Sequence, residues 1–253
     1  MKISIITVCY NSEATLRDTI ESVLAQTYPD IEYIIVDGAS RDGTMAIVAE
    51  YRDRIATVVS EPDMGIYDAM NKGIKLATGD IIGILNSDDF YENTKVVGDV
   101  VSQFVSFPDS DLVFGNVVFV APHNLDKIVR YYRSDHFMSW KLRFGWMPAH
   151  PATFIKRHAY YRVGSYSLEF KISSDYEMFV RLLLVNKLSF SRINKVLVRM
   201  RTGGVSTAGI RSRLLLNKEI VQACRKNGIY TNLLFVLSKL PFKLLEMFHR
   251  PSE

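Results

Sequence analysis

Short apolar runs recur through residues 1–90, each followed by a polar turn and then by apolar residues at helical spacing. Ile3-Ser4-Ile5-Ile6-Thr7-Val8 is the first such run, and Ser12 is placed to cap a helix that carries Leu16, Ile20, Val23 and Leu24 on one face until Pro29. Ile31 to Val36 is the second, leading through Asp37-Gly38-Ala39-Ser40-Arg41-Asp42-Gly43-Thr44 into a helix with Ala46, Ile47 and Val48. Ile55 to Val59 predicts a third strand, which ends in Ser60-Glu61-Pro62-Asp63-Met64-Gly65 before a helix from Ile66 to Ala77. The fourth run, Ile81-Ile82-Gly83-Ile84-Leu85, is almost wholly aliphatic, so it reads as a strand buried on both faces. Strands alternating with short helices imply a right-handed α/β fold around a parallel sheet. Such sheets bind ligands at the carboxyl ends of their strands, and that is where the fourth run stops at Asp88 and Asp89.

The pattern then changes. Val96 to Val105 predicts a helix, and Leu112 to Val120 a strand that turns at Pro122-His123-Asn124 into Lys127 to Tyr132, a hairpin. Ser173-Ser174-Asp175 precedes a helix with Met178, Phe179, Leu182 and Leu183 on its apolar face, and Phe190 to Met200 returns as a strand. A basic loop, Arg201-Thr202-Gly203-Gly204-Val205-Ser206-Thr207, leads to a basic helix, Arg211 to Asn227. Leu233 to Phe248 is apolar with Lys239, Lys243 and Arg250 interleaved and Pro241 within it.

Charge sharpens the last part of this picture. The net +4 conceals −7 over residues 1–180 and +11 over residues 181–253. The tail is too short and too charged to span a bilayer; it suits lying at an anionic membrane surface, or packing its apolar side on the domain. The division expected is 1–207 as one α/β domain and 208–253 as a basic helical region. Residues 1–8 are too short for a leader and run straight into fold-like sequence, and Cys9 and Cys224 have no metal-type spacing, so a reducing, cytoplasmic setting is expected.

Neither Gly-x-Gly-x-x-Gly nor Gly-x-x-x-x-Gly-Lys-Ser/Thr follows a strand, which disfavours dinucleotide and P-loop chemistry. The strand ends instead offer Tyr10, Asn11, Asp37, Asp63, Asp88 and Asp89. A ring and several carboxylates can hold a base by stacking and by accepting from its N–H groups, while a divalent cation bridges diphosphate oxygens to a carboxylate. Each residue also has a structural reading: Tyr10 packs, Asp37 makes a turn, Asp63 caps a helix, and Asp88-Asp89 forms an Asx turn.

Five segments in this order resemble the family 2 glycosyltransferases: Ser4 to Asn11, Val36 to Thr44, Ser60 to Gly73, Asn86-Ser87-Asp88-Asp89, and Ser173-Ser174-Asp175-Tyr176-Glu177. Glu61-Pro62-Asp63 with Gly65-Ile66-Tyr67-Asp68-Ala69-Met70-Asn71-Lys72-Gly73 is similar to the subgroup that builds bacterial surface polysaccharides. The resemblance implies a GT-A fold, a mostly parallel Rossmann-type sheet flanked by helices. It also implies inverting transfer from a nucleoside-diphosphate sugar to a glycan or lipid-linked acceptor at the inner face of the membrane, with Mn²⁺ or Mg²⁺ as cofactor and no nucleic-acid partner. Residue by residue, it places Tyr10 on the nucleobase, Asp37 in hydrogen bonds to it, Asp88 at the ribose, Asp89 on the metal and Asp175 as base. Arg201, beside Gly203 and Gly204, matches loops that close over the diphosphate. Ser87 departs from the Asp-x-Asp pattern, and Ser174 from the acidic pair that usually includes the base. A dipole-stabilised, ionised Asp175 is expected at the start of its helix. On the acceptor side, Trp146 stacks on a sugar or packs in the core, and His150 is an acceptor or metal ligand or a hydrogen-bonded structural histidine. A catalytically silent nucleotide-sugar-binding or scaffold subunit is the alternative, and a nucleotidyltransferase a weaker one.

Overall fold

The computed structural model describes residues 1–134, 136–203 and 209–240. The expected loop beyond Gly203, the 207/208 boundary, and the tail residues Phe242, Lys243, Leu244, Leu245, Phe248 and Arg250 lie outside them. Among the described residues, nine strands form one sheet in the order β3-β2-β1-β4-β8-β6-β9-β5, with β7 beside β6. The strands are β1 (Ile3–Cys9), β2 (Ile31–Asp37), β3 (Thr57–Ser60), β4 (Ile81–Ile84), β5 (Asp89–Tyr91), β6 (Leu112–Ala121), β7 (Asn124–Tyr132), β8 (Thr153–Lys156) and β9 (Phe190–Arg201). From β3 to β4 the sheet is parallel. β8 runs antiparallel to both β4 and β6, β6 and β9 are parallel, and β5 is antiparallel to β9.

Period-two alternation divides the aliphatic strands between two cores. Ile6 and Val8, Ile34 and Val36, Ile82 and Ile84 face one core, while Ile3 and Ile5, Tyr33 and Ile35, Ile81 and Leu85 face the other. Helices α1 (Leu16–Leu24), α2 (Thr44–Glu50) and α4 (Val96–Ser106) pack on the second core through Leu16, Ile20, Ile47, Val97 and Val100. The first core is covered by α3 (Ile66–Leu76), α5 (Arg157–Val163), α6 (Ser174–Val180, continued by a π-turn through Val185) and α7 (Ile210–Lys226). Close approach fixes one position in α3, because a Cβ on Gly73 would lie 2.4 Å from Ile6 Cγ2.

Several local expectations change. Ser12 does not cap α1; the helix starts at Leu16, and the Ser12 hydroxyl instead meets the Ser87 hydroxyl at 2.8 Å. The third strand is shorter and later than Ile55 to Val59, since Ile55 ends a 3-10 turn. Asp63 does not cap α3: its Oδ1 accepts from Gly65 N–H at 2.8 Å, and Gly65, at φ +111°, enters the helix in a conformation that needs glycine.

The C-terminal helices pack on the domain as far as Leu240. Ile220, Ala223 and Cys224 of α7 are buried beside α6. In α8 (Leu233–Leu237), Val236 is fully buried, and Phe235 stacks on Phe144 at 4.9 Å. Lys239 is buried and donates to the Gly145 carbonyl. The outer surface of the pair is different: Leu214, Tyr230, Leu233, Leu234 and Leu240 are exposed among Arg211, Lys218, Arg225 and Lys226. Among the described residues no helix is long and apolar enough to cross a membrane.

Candidate active site

The loops after β1, β2 and β3 interlock. Asn11 and Ala39 both have positive φ, +49° and +63°, conformations that cost a non-glycine residue about 1–2 kcal/mol each. They are held by bonds across the two loops: Asn11 N–H donates to Ser40 Oγ at 2.8 Å, and Arg41 N–H to Asn11 Oδ1 at 2.9 Å. Strain kept in place this way fits a binding loop. Asp42 ties the same loops together by accepting from the N–H groups of Thr44 and Glu13.

Asp37 is fully buried within this lattice. Its Oδ1 accepts from the Ser40 hydroxyl and faces the Cys9 thiol, and its Oδ2 accepts from Ser40 N–H and the Ser60 hydroxyl. With these partners Asp37 ties the loops after β1, β2 and β3 together. Asp63 stands beside Tyr10: a Cβ on Gly38 would lie 2.5 Å from Asp63 Oδ2 and 3.3 Å from the Tyr10 ring. Glycine at 38 therefore makes room for the Asp63 carboxylate beside Tyr10, a residue that is 60% exposed.

Asp88 and Asp89, expected at the ribose and the metal, differ in burial. Asp89 opens β5, and strand alternation puts it on the same face as Tyr91, which is buried in the core. It is 1% exposed, and burial followed by the neighbouring charge of Asp88 pushes its carboxyl well above the usual range. Asp88 is half-buried in the turn, and burial raises its carboxyl too. Asp88 is thus the open carboxylate and Asp89 the enclosed one. Behind them Asn86 Oδ1 is buried with no hydrogen-bond partner, while its Nδ2 lies 3.5 Å from Asp89 Oδ2. Two carboxylates and an orphaned amide oxygen are a hard-oxygen set that fits a divalent cation. Among the described residues no cluster of three or more His, Cys, Asp or Glu side chains adds to it.

Arg201 holds this turn from behind. Its guanidinium pairs with Asp18, donates to the Asp88 carbonyl at 2.7 Å and lies over the Phe90 ring. Only 9% of that side chain is exposed.

Asp175 sits in the first turn of α6, half-buried. Its two hydrogen bonds, from Tyr176 N–H at 2.8 Å and the Tyr67 hydroxyl at 3.3 Å, fall on Oδ1. The helix start was expected to keep it ionised; burial, the larger influence, pushes it up to about 6. A carboxylate with that value is ionised at neutral pH and still basic enough to accept a proton. Ser174, at the position of the second acid, donates to the Ser167 carbonyl.

Two residues whose roles the sequence reading passed over hold this side together. Tyr67 donates to the Ile172 carbonyl at 2.7 Å, and Asn71 exchanges two 2.8 Å bonds with the Tyr166 backbone. Their signal in the sequence is the run Ile66 to Gly73, which carries part of the family resemblance. Here α3 acts as a clasp between the strand ends and the Asp175 segment. His150 is a member of the wall behind it: its Nε2 bonds to the Tyr166 hydroxyl at 2.7 Å, and burial lowers it to about 4, so it is a neutral structural histidine. Trp146 is half-buried in the preceding segment, its backbone N–H donating to the Lys141 carbonyl at 3.2 Å.

Residues 4–166 match the model of the family described as glycosyl transferase family 2. An uncharacterized glycosyltransferase of Mycobacterium tuberculosis is 32% identical over 188 residues, covering 72% of this chain and 69% of that protein. The Escherichia coli UDP-Glc:alpha-D-GlcNAc-diphosphoundecaprenol beta-1,3-glucosyltransferase WfaP is 37% identical over 113 residues, 44% of this chain and 43% of WfaP, so less than half of that enzyme is matched. Among solved structures, TarS 1–349 of S. aureus superimposes with a TM-score of 0.66 at 19% identity, over 88% of this chain and 65% of that one. The mannosyltransferase PcManGT of Pyrobaculum calidifontis, in complex with GDP-Man and Mn²⁺, gives 0.65 at 18% identity, over 98% and 73%. At these identities the structural likeness concerns the fold, an α/β fold of the GT-A kind.

Proposed function

Because this chain belongs to glycosyl transferase family 2 and is a glycosyl-transferring enzyme, we propose that it moves a sugar, with inversion, from a nucleoside-diphosphate sugar to a hydroxyl of a glycan or lipid-linked acceptor. The observation that carries this reading is Asp175, a half-buried carboxylate raised to about 6 and tied by α3 to the strand ends that offer Tyr10, Asp63 and Asp88. Tyr10 stacks on the nucleobase and Asp63 accepts from its N–H. Asp88, with Asp89 and Asn86 Oδ1 behind it, would hold Mn²⁺ or Mg²⁺, which supplies positive charge against the diphosphate as it leaves. Arg201 keeps the Asp88 turn in place for that purpose. Asp175 takes the acceptor hydroxyl proton while that oxygen bonds to the anomeric carbon, and the bond from that carbon to the diphosphate oxygen breaks with its electron pair leaving on the diphosphate. Trp146 is assigned to the acceptor side by its place in the chain.

The acceptor assignment is supported by the outer surface of α7 and α8. A groove of about 680 Å³ there is lined by Lys218, Val221, Gln222, Arg225, Lys226 and Leu233. None of these lies at the strand ends. Cations around exposed leucines suit an anionic lipid surface, and WfaP is named for a lipid-linked acceptor. Residues 208–253 are accordingly assigned as a basic region that rests the enzyme on the cytoplasmic face of the membrane.

Thermal-shift measurements with UDP-glucose, UDP-GlcNAc and GDP-mannose, each with and without Mn²⁺, test the donor half. A cognate donor at about 100 times its dissociation constant adds about 2.7 kcal/mol of stability. The panel should pick one nucleotide whose shift needs the metal and whose turnover needs Asp175; no shift with any of them would overturn the donor assignment. Sedimentation with phosphatidylglycerol vesicles tests the other half, and Leu233→Glu with Leu234→Glu should abolish it while donor turnover persists.

A further inference from the structure

The most acidic contact in the basic C-terminal region is not on its surface. Glu219 is the single acidic residue of α7, in a helix that carries Arg211, Arg213, Lys218, Arg225 and Lys226, and it points inward with 6% exposure. Its carboxylate is wrapped by backbone. Oε1 accepts from Lys171 N–H at 3.0 Å; Oε2 accepts from the N–H groups of Ile172 and Ser173 at 3.1 Å each and from Ser173 Oγ at 2.9 Å.

Three consecutive N–H groups turned to one side chain fix the path of the chain through them. Ser173 is the cap residue of α6, yet its hydroxyl makes no bond to its own helix and is spent on Glu219. The next peptide group is gripped from the other direction, because the Ile172 carbonyl accepts from Tyr67 of α3. Ile172 is therefore held by α7 at its N–H and by α3 at its carbonyl, three residues before Asp175. The same α7 also reaches along α6, where Asn227 donates to Glu177 at 3.0 Å and Glu177 pairs with Arg181.

We propose that Glu219 is the positioning residue of the transfer reaction: by collecting the N–H groups of residues 171–173 it sets where the Asp175 carboxylate stands relative to the acceptor hydroxyl. This rests on the assignment of Asp175 as the base. General-base transfer depends on a heavy-atom separation near hydrogen-bond length, so a small displacement of Asp175 lowers turnover without touching the donor subsite at Tyr10, Asp63 and Asp88. Glutamine is isosteric, but it carries one acceptor oxygen and turns an NH₂ group toward backbone donors, so it fits the N–H cluster poorly.

The experiment measures donor turnover, as nucleoside diphosphate released from the donor that the thermal-shift panel selects, for wild type, Glu219→Gln, Ile220→Ala and Asp175→Asn. Each value is taken per folded molecule, at a temperature where circular dichroism reports the variant folded. Ile220 is the neighbouring core residue of α7, 2% exposed, and its truncation destabilises the helix without removing a bond to residues 171–173. Glu219→Gln should lower kcat by roughly ten- to a hundredfold with donor KM within about twofold of wild type, whereas Ile220→Ala should lower only the melting temperature. If Glu219→Gln keeps wild-type kcat per folded molecule, or if Ile220→Ala loses kcat to the same degree, Glu219 is structural and the proposal fails. If Asp175→Asn keeps its turnover, the base assignment itself is wrong and the proposal falls with it.

Discussion

At the amino ends of the parallel strands, Glu32 lies under Lys2, Ser4 and Thr78; at the carboxyl ends, Asp89 lies under a long contact from Asn86 and the neighbouring Arg201. Both are carboxylates taken out of water by the same sheet. Burial alone would raise Glu32, but bonds from Lys2, Ser4 and Thr78 outweigh it and hold the group at about 2. At Asp89 burial and the charge of Asp88 prevail over Asn86 and Arg201, and at Asp175 burial prevails over two hydrogen bonds. A buried charge that is fully hydrogen-bonded strengthens the fold, and one left under-bonded is kept at a cost that only function explains. The difference separates well-bonded from under-bonded acids within one sheet, and Asp37, with four partners, falls with the well-bonded ones.

Substitution should break the two classes in opposite ways. The largest effect is expected from Asp175→Asn, which should cost about two to four decades of turnover while leaving donor KM and melting temperature near wild type. Equal loss of donor affinity in that variant would place Asp175 with the structural acids. Next, Asp88→Asn should weaken Mn²⁺-dependent donor binding by at least about tenfold, because an amide is a poor substitute for an anionic ligand to a hard cation. Asp89→Asn should do the same without lowering the metal-free melting temperature, since it replaces a carboxyl whose charge burial disfavours; calorimetry of the two proteins decides both points. Glu32→Gln should invert the pattern, losing about 1–3 kcal/mol in urea unfolding and nothing in turnover per folded molecule.

Acid should separate the ends without mutation. With Asp175 as the proposed base, kcat/KM should fall as pH drops through about 6. Glu32 is depressed from 4.5 to about 2, so its contribution to stability is complete above pH 4.5 and is lost as pH falls from there toward 2. Between these windows the protein should be folded and slow, which circular dichroism beside a pH–rate profile would check.

Much of this architecture is legible in the chain itself. The aliphatic runs Ile3 to Val8, Ile31 to Val36 and Ile81 to Leu85 determine the parallel strands, because period-two burial on both faces leaves no other use for them. They also determine that Tyr10, Asp63 and Asp88 emerge at one edge, and the order of the motifs identifies the family. The sequence could not say which acid of each cluster is open. Asp37 and Asp63 are equally plausible partners for a base on paper, and Asp88 and Asp89 are adjacent copies of one side chain. Only the tertiary structure gave Asp37 to Ser40 and Ser60, let Asp63 into the space left by Gly38, and turned Asp89 inward with Tyr91. The bond between Glu219 and the Asp175 segment was likewise invisible, because it joins residues 46 to 48 positions apart. Patterning reports which face of an element is buried; which partner satisfies a buried polar group depends on what the folded chain brings within about 3 Å of it.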